Sequence, residues 1–256
     1  MHSVDLNCDL GESFGNYVCG MDDEIIPYIT SANVACGFHA SDPMVMQKTV
    51  QTAKENNVCV GAHPGFHDLV GFGRRNMTLP PAEITAMTEY QIGALNAFCT
   101  AAQMKLQHVK PHGALYNMAV KDRGIADAIC KGIALVNPDL ILLAPAHSRL
   151  IEAAGMYGLR TAREVFADRA YEEDGTLVPR NRPGAVITDE AEAISRVIRM
   201  IRTGTVVSIT GKVIEAEADS ICVHGDSPAA LAFVRSIHAA LLSEGIQTEP
   251  MHKIIA

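Results

Sequence analysis

The sequence predicts an α/β fold in which a single domain, residues 1–256, forms a (β/α) barrel of about seven or eight parallel strands. The chain has the length of one such barrel, and 48% of its residues are hydrophobic, which is enough for a large core. Short apolar runs alternate with helical patterns, as in a parallel sheet. Several runs end in residue types that carry catalysis, and barrels hold their active sites at the carboxyl ends of the strands. These observations predict an enzyme.

Seven apolar runs are predicted strands, and an eighth is a weaker candidate. In chain order the seven cover residues 4–8, 33–36, 58–62, 107–110, 140–144, 160–166 and 220–224, and the weaker candidate covers 206–209. This number of strand and helix units favours a closed barrel over an open sheet.

Helical patterns separate most of these strands. Asp42-Pro43 and Ser227-Pro228 each predict an N-cap followed by the first helical residue. Further helices are predicted within residues 80–103 and 188–202, where apolar residues recur at helical spacing. Residues 66–79 and 170–182 are too long for ordinary connections in such a fold, so we expect them to act as lids over the active end.

Composition argues against several classes of partner. Lysine and arginine number 21 against 29 aspartate and glutamate, a net charge of -8, and no basic run is present. This balance argues against nucleic acid or an anionic membrane as a partner. The seven cysteines include no CxxC pair, which is typical of reduced thiols in a cytoplasmic protein. No secretory signal and no apolar run of membrane-spanning length is evident.

The end of the first strand carries Asp5, Asn7 and Asp9, with Glu12 shortly after. Alternate strand residues share one face, so the first three would project into the barrel. Carboxylates held close together suit acid/base catalysis or a divalent cation. We therefore predict Asp9 and Glu12 as catalytic residues, with Asp9 as general base. The alternative is that Asp5 and Asn7 hydrogen-bond within the barrel and Glu12 caps a turn.

Four histidines follow apolar runs by no more than a few residues: His39, His63, His112 and His224. Neutral imidazole is both a common metal ligand and a general acid or base near pH 7. A divalent metal ion held by Asp9, His39 and His63 is one predicted use, although no helix has HxxxH or HExxH spacing. The other predicted use of these histidines is substrate binding, by His39, His63 and His224. His108, inside a strand, and His238, inside the last helix, are expected to be structural.

Lys110 lies two residues before His112, so the two side chains share a face if the strand continues through Pro111. A cation beside an imidazole can stabilise developing negative charge. We predict both as catalytic residues, with Lys110 holding negative charge and His112 transferring a proton.

Other charged residues near strand ends are predicted to bind substrate: Arg74, Asp168, Arg169 and Asp226. Arginine can clamp a carboxylate or a phosphate with two parallel hydrogen bonds. The alternative for Arg74, Arg75 and Arg169 is a surface ion pair with a nearby carboxylate: Asp168, Glu172 or Glu173.

Familiar nucleotide and nucleophile motifs are absent from the sequence. There is no GxxxxGK(S/T) loop, no GxGxxG after a strand and no GxSxG elbow. If nucleotide energy drives the reaction, we expect another chain to bind the nucleotide.

Seven segments resemble motifs of the LamB/YcsF family, and the resemblance runs from about residue 4 to 245. They are residues 7–12, 35–43, 61–66, 71–75, 109–117, 164–171 and 222–226. Ser41 replaces a glycine expected in the family motif, and His67 replaces an expected proline. The two differences are conservative in size or lie in a loop, so they affect the detail of loops and not the resemblance itself.

The resemblance implies a seven-stranded barrel similar to those of the glycoside hydrolase/deacetylase superfamily. It also implies ATP-dependent opening of 5-oxo-L-proline to L-glutamate, with partner subunits B and C of a 5-oxoprolinase. ATP would then be bound mainly by the partners. Two alternatives stay open, a stand-alone metal-dependent amidase or deacetylase and a non-catalytic regulator of sugar or lactam utilisation that binds a metabolite at the barrel mouth.

Overall fold

The computed structural model of the chain describes residues 2–223 and 228–255, so His224 and Asp226 lie outside the described residues. The first half contains β1 (Ser3–Leu10), α1 (Asp22–Ile25), a 3₁₀ turn (Ile26–Tyr28), β2 (Ser31–Ala35), α2 (Pro43–Glu55), β3 (Cys59–His63), α3 (Pro81–Ala101), β4 (Leu106–Val109), α4 (Gly113–Ala119) and α5 (Arg123–Val136). The second half contains β5 (Ile141–Pro145), α6 (Arg149–Met156), β6 (Arg160–Phe166), α7 (Glu190–Thr203), β7 (Thr205–Val207), β8 (Val213–Glu215), β9 (Ser220–Val223), α8 (Pro228–Ser243), β10 (Gln247–Thr248) and α9 (Met251–Ile254).

Seven parallel strands form a closed barrel in the order β1, β2, β3, β4, β5, β6 and β9, and β9 pairs with β1 to close it. The barrel predicted from the sequence is therefore confirmed, with seven strands. The weaker strand candidate, residues 206–209, overlaps β7, which pairs antiparallel with β8 outside the barrel. The short β10 pairs with the first residues of β1. All seven barrel strands consequently end at one mouth.

The two faces of β1 explain how the barrel is filled. Val4, Leu6 and Cys8 are buried in the apolar core shared with the surrounding helices. Asp5 and Asn7 are equally buried but contact polar side chains of neighbouring strands. Because strand residues alternate between faces, the apolar set packs outward and the polar set fills the interior. The interior beside β1 is thus a hydrogen-bonded polar core, whereas Ile141, Leu143 and Ala162 of β5 and β6 form a small apolar cluster with Met251.

His108 on β4 crosses that interior. One ring nitrogen, Nε2, donates to Oδ1 of Asn33 at 2.7 Å, and the other, Nδ1, accepts from Gln107 at 3.1 Å. A Cβ atom at Gly61 of β3 would lie 2.1 Å from Nε2 of His108, so only glycine leaves room for the ring. Burial lowers the pKa of His108 to about 3, which keeps it neutral. These contacts agree with the structural role predicted for His108.

Asp5 forms the polar layer at the amino end of the barrel. Its carboxylate accepts hydrogen bonds of 2.5 to 2.7 Å from the hydroxyls of Thr30, Ser31 and Ser220. Burial raises the pKa of Asp5 to about 6, against an ordinary value of 3.8. Asp5 therefore hydrogen-bonds within the barrel, which was the alternative to a catalytic role.

The raised pKa of Asp5 predicts a pH-dependent contribution to stability. Between about pH 4 and pH 6 the folded protein keeps a proton on Asp5 that the unfolded chain has lost. The contribution of this proton to the free energy of unfolding is therefore complete below the unfolded pKa and is lost as the pH rises through 6. We expect the free energy of unfolding of the wild type, relative to Asp5→Asn, to fall by about 2 kcal/mol from pH 4 to pH 7. Urea unfolding at both pH values measures this.

The Asp139→Asn variant, at an exposed aspartate, is the control for that experiment. An equal pH dependence in the wild type and in Asp5→Asn would show that the Asp5 carboxyl does not hold the proton.

The helix starts follow the predicted signals. Asp42 caps α2, because its Oδ1 accepts from the backbone N–H groups of Met44 and Val45 at 2.8 and 3.0 Å. The helix predicted after Ser227-Pro228 begins at Pro228, and Ser227 lies outside the described residues. Within residues 2–223 and 228–255, no helix combines the length and apolar character required to cross a bilayer.

Candidate active site

Two adjoining groups of side chains occupy the mouth of the barrel. The lysine cluster consists of Asn7, Asp9, Lys110, Glu164 and Cys222. The histidine cluster consists of Glu12, His39, His63 and His112. All but one of these residues lie on, or within three residues of, the carboxyl end of a barrel strand, and His39 follows β2 by four. Both groups are therefore at the end of the fold that the sequence predicted to be active.

Beyond the end of β4 the chain stays extended and continues to hydrogen-bond to β3 and to the chain that follows it, and this positions Lys110 and His112. The backbone N–H of Lys110 donates to the carbonyl of Ala62 at 2.9 Å, and that of His112 donates to the carbonyl of Pro64 at 2.8 Å. Alternate residues thus continue to pair with the chain that extends β3. Lys110 and His112 accordingly share one face, and α4 begins directly after His112.

The ammonium of Lys110 is enclosed by the lysine cluster. Its Nζ lies 2.8 Å from Oε1 of Glu164 and 3.0 Å from Oδ1 of Asp9, and only 4% of the side chain is exposed. Asn7 Oδ1 and Cys222 Sγ complete its surroundings at 3.2 and 3.3 Å. Burial lowers the pKa of Lys110, but the charge of Asp9, the Cys222 thiol and Glu164 outweigh it and raise the pKa well above its ordinary value. Lys110 is a permanent buried cation.

Glu164 is a member of the site that the sequence analysis did not select. It lies on β6 with a fully buried side chain, and its Oε2 accepts a hydrogen bond from the hydroxyl of Tyr116 at 2.5 Å. The sequence does indicate this residue, because Glu164 is an acidic residue among the apolar residues at the carboxyl end of the predicted strand 160–166. A buried carboxylate requires a charge partner, and Lys110 supplies it.

Asp9 joins the two clusters. Its Oδ1 accepts from Nζ of Lys110 and from Nδ2 of Asn33 at 2.9 Å, whereas its Oδ2 lies 3.4 Å from Nε2 of His63. The side chain is 22% exposed, so it is reachable from the mouth. Asp9 is therefore a carboxylate with one oxygen fixed by the barrel interior and the other directed toward the histidines.

The histidine cluster is fixed by two backbone carbonyls. Nδ1 of His63 donates to the carbonyl of Lys110 at 2.8 Å, and Nε2 of His112 donates to the carbonyl of Phe72 at 2.8 Å. The remaining nitrogens, Nε2 of His63 and Nδ1 of His112, lie 2.9 Å apart. Oε1 of Glu12 is 3.1 Å from Nε2 of His39 and 3.5 Å from Nδ1 of His112.

Burial determines the protonation of most of this cluster. It lowers the pKa of His39 and of His112 well below 6.5, so both rings are neutral near pH 7. Burial also raises the pKa of Glu12, with the charge of Asp9 acting in the same direction. For His63 burial lowers the pKa, but the charge and hydrogen bond of Asp9 outweigh it and the net direction is upward. The four ligand atoms lie within 4.8 Å of one another, and the group could hold a metal ion.

The remaining predicted residues divide between the rim of the mouth and the loops. Arg74 is exposed, with its guanidinium 4.9 Å from the ring of Phe72, which contacts His39 and His112 edge-on. Asp168 is half-buried two residues beyond β6. The predicted residues His224 and Asp226 lie outside the described residues, so they stay predictions.

The contacts of Arg169 are with the loop that follows β6, and its role in binding substrate stays a prediction. Its Nη2 donates to the carbonyl of Val178 at 2.6 Å and its Nε donates to that of Ala185 at 3.3 Å. Arg169 thereby holds the loop that follows β6. Arg75 forms an ion pair as the alternative proposed, but its partner is Asp68 within its own loop.

Comparison with known proteins identifies close relatives. A model of the LamB/YcsF family matches residues 4–256. The 5-oxoprolinase A subunit of Clostridium beijerinckii is 63% identical over 254 residues, covering 99% of this chain and 100% of the relative. The corresponding A subunit of Bacillus subtilis is 52% identical and covers 96% of both chains. The crystal structure of a lactam utilization protein from Thermus thermophilus is 45% identical, with a TM-score of 0.93 over 96% of this chain and 99% of that one.

Proposed function

The chain belongs to the LamB/YcsF family, and on that premise we propose that it is a hydrolase that opens the cyclic amide of 5-oxo-L-proline to give L-glutamate. We propose further that it acts as one component of an ATP-dependent assembly with partner subunits B and C. The names of relatives at 52% to 63% identity, which describe them as the A subunits of 5-oxoprolinases, support this assignment.

The observation that carries the proposal is the buried ion cluster of Lys110, Asp9 and Glu164 at the mouth. Amide hydrolysis needs a base for the attacking water and a positive charge near the oxygen on which negative charge develops. Asp9 supplies a reachable carboxylate, and Lys110 supplies the positive charge. Glu164 balances the ammonium, so that Lys110 stays charged in a buried site.

Asp9 is the proton carrier in this mechanism. It accepts a proton from water as the water oxygen bonds to the amide carbon, and it delivers that proton to the ring nitrogen as the carbon–nitrogen bond breaks. His112 was predicted to transfer a proton. We do not retain this role, because the N–H of His112 is bound to the carbonyl of Phe72 and its other nitrogen faces His63.

ATP and a divalent cation are the cofactors of the proposed reaction. A five-membered lactam is a poor electrophile, and phosphorylation of its amide oxygen would make the carbon a better target for water. Addition of that water and cleavage of the carbon–nitrogen bond would leave the phosphoryl group on the new carboxyl oxygen as an acyl phosphate, and a second water would release phosphate and give L-glutamate. Because the sequence has no glycine-rich phosphate loop, we assign phosphoryl transfer to the partner subunits. A divalent cation bound at the histidine cluster would supply Lewis-acid polarisation of the same oxygen.

Exposed apolar side chains near the mouth support docking of a partner there. Tyr17 and Val18 lie in the loop after β1, and Val70 lies in the loop after β3, with most of each side chain in contact with solvent. A partner covering this surface would bury them and would shield a phosphorylated lactam from bulk water.

We predict that the isolated chain neither hydrolyses ATP nor forms glutamate at a useful rate, and that both activities require subunits B and C. Glutamate formation from 5-oxoproline and phosphate release are measured with the chain alone, with B and C alone, and with all three, each with and without ATP. Only the complete mixture with ATP should form glutamate.

ATP-independent glutamate formation by the lone chain would contradict the division of labour. It would instead favour the second candidate, a stand-alone metal-dependent amidase, for which the histidine cluster is the supporting feature.

A further inference from the structure

We infer that the histidine cluster binds one divalent cation of the Zn²⁺ class through Glu12, His39, His63 and His112, with Asp9 outside the ligand set. This inference deepens the proposed function, and the role of the cation in catalysis rests on that function. Binding itself is measured without turnover, so the two can fail separately.

The tautomers of two histidines require a cation between them. The carbonyls of Lys110 and Phe72 can only accept hydrogen bonds, so Nδ1 of His63 and Nε2 of His112 must each carry a hydrogen. In the neutral rings the other two nitrogens then carry lone pairs, and these nitrogens lie 2.9 Å apart. Two facing lone pairs repel each other unless a positive species lies close to both. Either a proton or a metal ion can meet that requirement.

The distances within the cluster favour a metal ion. Ligands of a tetrahedral site with metal–nitrogen bonds of about 2.0 to 2.1 Å are separated from one another by about 3.3 Å. The observed separations are 2.9 Å between His63 and His112, 3.1 Å between His39 and Glu12, and 3.5 Å between His112 and Glu12. Because the rings of His39 and His112 are parallel within 3°, one of them must turn before both can direct a nitrogen lone pair at one ion.

The surroundings of the cluster are those of a metal centre. Metal-bound histidines usually donate their second N–H to a carbonyl or a carboxylate, which fixes the ring, and His63 and His112 both do so. The rings of His39 and His112 stack with centroids 3.6 Å apart. A Cβ atom at Gly73 would lie 2.7 Å from Cβ of His39 and 2.8 Å from Cδ2 of His112, so glycine at this position leaves room for the stack. The ligands are therefore held close before any ion binds.

Asp9 is excluded by its other contacts, which revises the ligand set expected from the sequence. Its Oδ1 is bound by Lys110 and Asn33, and its Oδ2, although 3.4 Å from Nε2 of His63, is not among the four ligand atoms that all lie within 4.8 Å of one another. An ammonium 3.0 Å from the same carboxylate weakens its attraction for a second cation. Three imidazoles with one carboxylate suit Zn²⁺ or Co²⁺, whereas Mg²⁺ and Ca²⁺ prefer oxygen ligands.

The test is metal binding by the purified full-length chain after treatment with a chelator. Zn²⁺ is titrated calorimetrically, Co²⁺ is titrated with visible absorption as the readout, and bound metal is counted by elemental analysis after dialysis. We expect one ion per chain. His63→Gln and His112→Gln should each weaken binding by more than about 100-fold, because loss of a supporting contact alone costs about 10- to 100-fold. Circular dichroism checks that each variant is folded.

Three further variants make the result specific. His67→Gln removes an exposed histidine of the neighbouring loop and should leave binding unchanged. Asp9→Asn should keep one ion per chain, whereas Glu12→Gln should weaken binding. Failure of the folded wild type to take up stoichiometric Zn²⁺ or Co²⁺ would overturn the inference and assign a shared proton to the histidine pair. Loss of the ion in Asp9→Asn but not in Glu12→Gln would also overturn it.

Discussion

Replacing Lys110 by methionine is expected to abolish glutamate formation by the assembly and to lower the free energy of unfolding by about 3 to 5 kcal/mol. Methionine keeps much of the side-chain volume but removes the ammonium that Asp9 and Glu164 share. The fully buried Glu164 is then left without its charge partner, which is the source of the expected loss of stability. Denaturant unfolding and the glutamate assay measure the two effects.

A double variant separates activity from folding. Lys110→Met combined with Glu164→Gln removes both buried charges, so it should recover stability relative to Lys110→Met while remaining inactive. Lys105→Met, at an exposed lysine just before β4, is the matched control and should behave as the wild type. Activity near normal in Lys110→Met would remove the ammonium from the mechanism.

Asp9→Asn is expected to lower the turnover number by about 10²- to 10⁴-fold, the range typical of the loss of a general base. Asparagine preserves the shape of the side chain and can still accept from Lys110, but it cannot take a proton from water. Steady-state kinetics of the assembly checks this, with circular dichroism to show that the variant is folded. Asp139→Asn provides the control at an exposed aspartate. Turnover within a few-fold of the wild type would exclude Asp9 as the base.

The positions of the strands and their polar ends could be predicted because they depend on local pattern. Apolar runs and the two-residue period of strands are enough to align Asp5, Asn7 and Asp9 on one face, and to align Lys110 with His112. The same reasoning correctly located His39 and His63 at the mouth. These features do not depend on how the strands are staggered.

Residues whose partners depend on the stagger could not be predicted. Glu164 faces Lys110 only because β6 and β4 bring these positions to the same height in the closed barrel. Glu12 reaches His39 because the chain turns at Gly11, where φ is +69° and a Cβ would lie 3.0 Å from Oγ1 of Thr49. Periodicity in the sequence does not predict either of these two contacts, Glu164 with Lys110 or Glu12 with His39.

Loop contacts were the least predictable part of the site. Arg169 was predicted to bind substrate because arginine suits anions, and its N–H groups bind carbonyls of the following loop. That loop has no regular period, so its path could not be derived from the sequence. His224 and Asp226, beyond β9, stay predictions.

The central claim is that the amide ring opens at this barrel mouth, after activation by the partner subunits. The most direct measurement is the amount of glutamate formed per ATP consumed, in assemblies containing either the wild-type chain or Asp9→Asn. The account predicts that the ratio falls in Asp9→Asn, because the partners continue to phosphorylate the lactam while ring opening is slow and the activated lactam reverts to 5-oxoproline in water. An unchanged ratio of glutamate to ATP in Asp9→Asn would contradict the account.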